Sequence, residues 1–140
     1  MNNEQKMVQE FHEFFGLTTG LKPGLPSPQD VKLRRALISE ESREFDEAAE
    51  KGDLNEVAKE LADILVVVYG AAVTYGIDME GVFKEVHRSN MSKIWPDGGI
   101  HRREDGKILK PPTYSKADVG PILEAQKAAI GWDEKVDKPS

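Results

Sequence analysis

The chain has 140 residues, 39% of them hydrophobic and 31% charged, with a formal net charge of −6 and no cysteine. That length suits one domain or one subunit of a small oligomer. The acidic balance argues against general nucleic-acid binding, whose affinity rests on basic contacts to phosphate. The lack of cysteine removes disulfides, thiolate metal ligands and thiol nucleophiles.

The opening stretch MNNEQKMVQEFHEFFG lacks the basic start and unbroken apolar core of a signal peptide. The longest apolar run, around Ile64–Val68, is far shorter than a membrane span. A cytoplasmic protein with no membrane association is therefore expected. Met7, Val8, Phe11, Phe14 and Phe15 recur at helical spacing and predict a first helix from Asn3 to about Phe15, stopped by Gly16. The Gly- and Pro-dense segment GLTTGLKPGLPSP then reads as an ordered loop.

A second helix is predicted from Pro28–Asp30 to about Lys51, with Leu33, Leu37, Glu41, Glu44 and Ala48 along its inward side. Gly52 ends it and Asp53 caps the next. That third helix, Leu54 to Tyr75, is apolar on most sides, so it should be buried on most sides and serve a subunit interface as well as a core. A homodimer or a dimer of dimers follows as the expected assembly. Gly76-Ile77-Asp78 breaks the chain before a fourth helix, Met79 to about Ile94, with Val82, Phe83, Val86, Asn90 and Ile94 on one face. Residues Asp97 to Tyr114 carry the turn signal Glu104-Asp105-Gly106 and predict a short hairpin or loop of locally basic character. A weaker last helix is expected between Ser115 and Ile130, begun at Pro121, and a polar tail over 131–140. The expectation is one all-α domain over residues 1–130 with a four-helix-bundle core.

The chemistry concentrates between Leu37 and Tyr69. Glu41 and Glu44 are neighbours on one helix face, with Glu40 reaching the same place from the flank, and Glu60 and Asp63 form the matching pair on the next helix. A hairpin closed at Gly52 can bring the pairs face to face. Such a gathering of carboxylates would not persist without cations, and hard oxygen ligands suit Mg2+, with Mn2+ able to substitute. Glu47, Glu50, Glu56 and Lys59 read as solvated surface. Asp63 does not, because it sits inside ELADILVVVY, where a carboxylate has a large burial cost. A di-iron bundle would need Glu-x-x-His on two helices, and His12 and His87 lack it. His-Glu-x-x-His, the Walker A loop and the dinucleotide glycine fingerprint are also absent.

Glu40-Glu41-x-x-Glu44 followed by Glu60-x-x-Asp63 resembles the EExxE…ExxD motif of the all-α nucleoside triphosphate pyrophosphohydrolases. That superfamily includes MazG, dimeric dUTPases, dCTP pyrophosphatases and phosphoribosyl-ATP pyrophosphohydrolase. His87-Arg88-Ser89-Asn90-Met91-Ser92-Lys93, Asp105-Gly106-Lys107 and Lys110-Pro111-Pro112-Thr113-Tyr114 resemble the distal half of MazG-like single-domain members, and Phe11 to Gly16 fits their entry. The resemblance implies Mg2+-dependent cleavage of a nucleoside triphosphate to monophosphate and pyrophosphate. It implies Glu41, Glu44, Glu60 and Asp63 as metal ligands, with Glu40 holding a further ion or orienting the attacking water. Arg88, Asn90, Lys93, Lys110 and Tyr114 would bind substrate. On the same resemblance dUTP or dCTP ranks first as substrate, in deoxynucleotide-pool sanitation or supply. Phosphoribosyl-ATP is the enzymatic alternative, and a non-catalytic nucleotide-binding regulator is the alternative from another class.

Overall fold

The structure, a computed structural model, describes residues 1–137, with side chains as far as 129. Five helices run in chain order: α1 (Asn3–Phe15), α2 (Pro28–Lys51), α3 (Leu54–Tyr75), α4 (Met79–Met91) and α5 (Gly120–Asp137). The fold class is all-α, as expected. Among the described residues the one extended pairing is an antiparallel bridge between Arg102 and Ile108, the expected short hairpin, whose turn is closed by Gly106 N donating to Arg103 O.

Local chemistry explains the boundaries. Asn2 caps α1 by accepting from Gln5 N, and Ser27 caps α2 directly before Pro28. Asp53 caps α3 by accepting from Asn55 N and Glu56 N. Gly52 and Gly76 end α2 and α3 in the left-handed conformation. Gly76 is also irreplaceable sterically, because a Cβ there would lie 2.2 Å from Lys22 O.

The chain divides into two compact units, Met1–Met79 with the chain from Gln126 onward, and Glu80–Ala125. In the first unit α3 packs against both α2 and α1. The Gly/Pro loop is pinned to the end of α3, where Gly20 N donates to Val73 O at 2.9 Å, Gly24 N to Tyr75 O at 3.0 Å, and Thr74 Oγ1 to Thr18 O at 3.0 Å. Gln126 of α5 clamps the start of the next segment, accepting from Asp78 N and donating to Asp78 O.

Three expectations are corrected. On α1 the inward stripe is Gln5, Val8 and His12, whereas Phe11, Phe14 and Phe15 are exposed. Gln5 can turn inward because its amide is fully satisfied, donating to Ile77 O and accepting from Met79 N. On α2, Leu33 is exposed and Arg34 is buried in its place. Arg34, Glu41 and Ala48 recur every seven residues and so share one face of the helix. Asn90, expected inward on α4, is exposed.

Two boundaries also move. Helix α4 stops at Met91 rather than Ile94, as Ser92 Oγ donates to Ser89 O at 2.6 Å and the chain continues in tight turns. The tail expected from Gly131 is helical to Asp137, since one glycine costs a helix only about 1 kcal/mol and the next proline is Pro139. The last three residues lie outside the described part.

Candidate active site

The α2–α3 hairpin gathers the acids. Glu41 from α2 and Glu60 and Asp63 from α3 each present a carboxylate oxygen, all within 4.8 Å of one another. All three are half-buried. Glu44, half-buried on the same helix, lies close enough to Glu41 to raise its pKa. Glu40 is exposed on the flank of α2.

This crowding has an electrostatic signature. Burial, then the hydrogen bond to Glu44, then the charges of Glu44, Asp63 and Glu60 push the Glu41 carboxyl up to about 7. Lys59 is the cation within reach. Its Nζ lies 2.8 Å from Asp63 Oδ2 and 3.3 Å from Glu60 Oε1, which raises the affinity of the ammonium for its proton, the bond to Asp63 first. Glu41 Oε2 and Glu60 Oε2 remain buried with no hydrogen-bond partner. Unpartnered acceptor oxygens facing other carboxylates, with no nitrogen or sulfur donor in the group, fit a hard divalent cation such as Mg2+ or Mn2+.

One heptad from the acids along α2 and α3, where α1 supplies His12, lies a second buried group. Arg34 is 6% exposed and its Nε has no hydrogen-bond partner. His12, 2% exposed, faces Thr18 O through Nδ1 at 3.0 Å, which assigns the ring proton to that nitrogen. Burial and then the nearby Arg34 charge lower the His12 pKa against the Thr18 bond, so the ring is neutral. Gly70 leaves the space for both, since a Cβ there would sit 2.8 Å from Arg34 Nη1 and 3.3 Å from His12 Nε2. Gly70 follows Asp63 by seven residues, as Arg34 precedes Glu41 by seven. The heptad spacing was the sequence signal for this group, and a search confined to apolar residues passes over it.

The distal candidates belong to the second unit, where each has a local partner. Arg88 forks onto Glu85 with Nε–Oε1 at 2.7 Å and Nη2–Oε2 at 2.8 Å, and also reaches Lys116 O. Lys93 Nζ donates to Asn90 Oδ1 at 3.2 Å, and Lys110 Nζ sits 4.7 Å from the Tyr114 ring centroid. The Tyr114 hydroxyl meets Ser89 Oγ at 3.4 Å, while Ser92 Oγ accepts from Ser115 N at 2.8 Å. Trp95 stacks on His101 at 4.1 Å and donates to Leu109 O. The organising residues here are Glu85, which the sequence did not single out, and Ser89 and Ser92, which the distal motif contains but to which no role was given.

Fold and site together define a helical protein whose α2–α3 hairpin gathers carboxylates that could hold a metal ion. Residues 8–90, more than half of the chain, match the phosphoribosyl-ATP pyrophosphohydrolase family. The chain belongs to this family. It is 43% identical over 54 residues to an uncharacterized protein of Acanthamoeba polyphaga mimivirus, a stretch covering 39% of this chain and 22% of that protein. The chain thus matches about a fifth of the length of that relative. The crystal structure of a candidate NTP pyrophosphohydrolase from Exiguobacterium sp. 255-15 aligns over 96% of this chain and 98% of that one, at 23% identity and a TM-score of 0.46. Among the described residues no single helix is long and apolar enough to cross a membrane.

Proposed function

We propose that the protein is a Mg2+-dependent nucleoside triphosphate pyrophosphohydrolase, one domain over residues 1–130, that releases pyrophosphate from a deoxynucleoside triphosphate, with dUTP or dCTP preferred. The observation that carries this reading is the convergence of Glu41, Glu60 and Asp63 oxygens within 4.8 Å, with two buried oxygens unpartnered. Glu41, Glu44, Glu60 and Asp63 would hold the cation, with Mn2+ able to replace Mg2+. Bound there, the metal supplies charge neutralisation for the triphosphate and a lowered pKa for the attacking water.

Around it, the protein's own groups orient and exclude. Glu40, exposed next to Glu41 in the chain, would orient that water and take its proton, or hold a further ion. Glu41 sits at the centre of the repulsion, so its carboxylate gains most from a cation. Arg88, Asn90, Lys93, Lys110 and Tyr114 are proposed to bind the substrate's phosphates, sugar or base. Arg88 would first have to leave Glu85, whereas Lys93 and Lys110 are held only by an exposed amide and a ring face. The exposed Leu61, Leu65 and Val66 of α3 and Phe11, Phe14 and Phe15 of α1 support a homodimer or a dimer of dimers, which would cover them. A cytoplasmic role in deoxynucleotide-pool sanitation or supply, without membrane or general nucleic-acid binding, completes the proposal.

A second reading, phosphoribosyl-ATP as substrate, is favoured by the family that matches residues 8–90. Pyrophosphate release from dUTP, dCTP, the other triphosphates and phosphoribosyl-ATP, at one Mg2+ concentration, separates the two. Turnover of dUTP or dCTP ahead of the rest is expected. Turnover of phosphoribosyl-ATP alone selects the second reading, and turnover of none, with Glu41→Gln indistinguishable from wild type in Mg2+ binding, sinks both.

A further inference from the structure

Lys59 is exposed, as its sequence position suggests, but its ammonium is engaged. Its ammonium lies 2.8 Å from Asp63 and 3.3 Å from Glu60, two of the three acids whose oxygens converge. The side chain itself is 68% exposed, so it reaches the acids from the solvent side on a flexible stem. Glu41 Oε2 and Glu60 Oε2 stay unpartnered even so. One monovalent donor serves Asp63 Oδ2 and Glu60 Oε1 and leaves the inner oxygens of the cluster unmet. A divalent cation among the same acids would reach them.

The geometry points to Lys59 as an exchangeable cation: its ammonium holds Glu60 and Asp63 until a divalent metal displaces it, and it then turns onto the metal-bound triphosphate. This rests on the proposed metal-dependent function of the same carboxylates. The physical argument is one of competition. An ammonium in contact with two ligand oxygens must leave, or share them, when a metal of higher charge enters. Once the acids are neutralised, the nearest uncompensated anion for a lysine on that helix turn is a phosphate in the metal's remaining coordination sphere, which Mg2+ commonly fills with substrate. Exposure keeps the competition modest, since an ammonium in water gives up such contacts at little cost. Lys59 thereby acts as a positioning residue, holding two ligands in register before the metal arrives.

The test compares wild type with Lys59→Met, which keeps the stem and removes the charge, and with Lys59→Arg, which keeps the charge. Mn2+ alone is titrated calorimetrically at low salt, and then a non-hydrolysable α,β-imido dUTP is titrated into the metal-loaded protein. Lys59→Met should bind Mn2+ about two- to tenfold more tightly than wild type and the analogue correspondingly more weakly, with Lys59→Arg close to wild type in both. Equal or weaker Mn2+ binding by Lys59→Met overturns the displacement. Unchanged analogue affinity overturns the transfer to phosphate. Both leave the metal site itself standing. Absence of Mn2+ binding in all three proteins, matched by Asp63→Asn, overturns the proposal and the metal-dependent function together.

Discussion

Two carboxylates of the chain, Glu41 on α2 and Glu85 on α4, stand in opposite electrostatic circumstances. Glu85 receives a fork from Arg88 and a backbone N–H from Asp118 at 2.8 Å, and these hold its pKa down to about 2, the Arg88 bond foremost. Glu41 is surrounded by burial and by three more acids, and is pushed up to about 7. The first carboxylate is a finished structural contact, satisfied within its own unit. The second is an incomplete one, and incompleteness in a half-buried acid cluster marks a place where the protein expects something from outside.

The largest effect should come from breaking the incomplete cluster. Asp63→Asn or Glu60→Gln should lower pyrophosphate release by more than about 100-fold, beyond the loss typical of residues that merely support a metal ligand. Glu85→Gln should leave Mn2+ binding at wild-type affinity while loosening the Arg88 and Asp118 contacts, read as faster amide exchange at Asp118. Metal binding that fell equally in both variants would erase the distinction between them.

Next in size is the buried cation one heptad before Glu41 on α2. Gly70→Val should destabilise the fold by about 1–3 kcal/mol, because any Cβ meets Arg34 Nη1 at 2.8 Å inside a closed space. Urea unfolding measures it. Arg34→Met should be neutral or stabilising by about 1 kcal/mol, since it replaces a buried guanidinium whose Nε lacks a hydrogen-bond partner with an apolar side chain of similar length. Marked destabilisation by Arg34→Met would mean that the guanidinium has a partner in the folded protein.

The smallest effect is the dependence on pH, and the two carboxylates should show opposite signs. Glu41 has a folded pKa above its ordinary 4.5, so its contribution to stability is full below about 4.5 and is lost as pH rises through about 7. Glu85 has a folded pKa below 4.5, so its contribution is full above about 4.5 and is lost as pH falls through about 2. Thermal unfolding followed from pH 2 to 8 in a metal chelator should show both slopes. Glu41→Gln should remove the upper one and Glu85→Gln the lower.

The helices themselves were legible residue by residue. Proline at 28, aspartate at 53 and glycines at 16, 52 and 76 act on the backbone of their own turn, so their effect does not depend on what packs against them. The acid motif was legible for the same reason. Its spacing within each helix is local, and the short turn Gly52-Asp53 joins two helices that pack against each other.

Which residues face inward was decided by tertiary structure. Gln5, His12 and Arg34 are buried where apolar neighbours were expected, because Ile77 O, Thr18 O and the space over Gly70 are supplied from distant parts of the chain. Lys59 shows both sides of the division. Its distance of four residues from Asp63 permits a contact on any helix, but only the approach of Glu41 from α2 turns that contact into one cation shared among crowded acids. By itself the sequence determined the helices, their caps and the order of the carboxylates along them. The packing of α1, α2 and α3 decided which polar groups have partners and which do not, since a buried group's partners come from wherever the fold brings them.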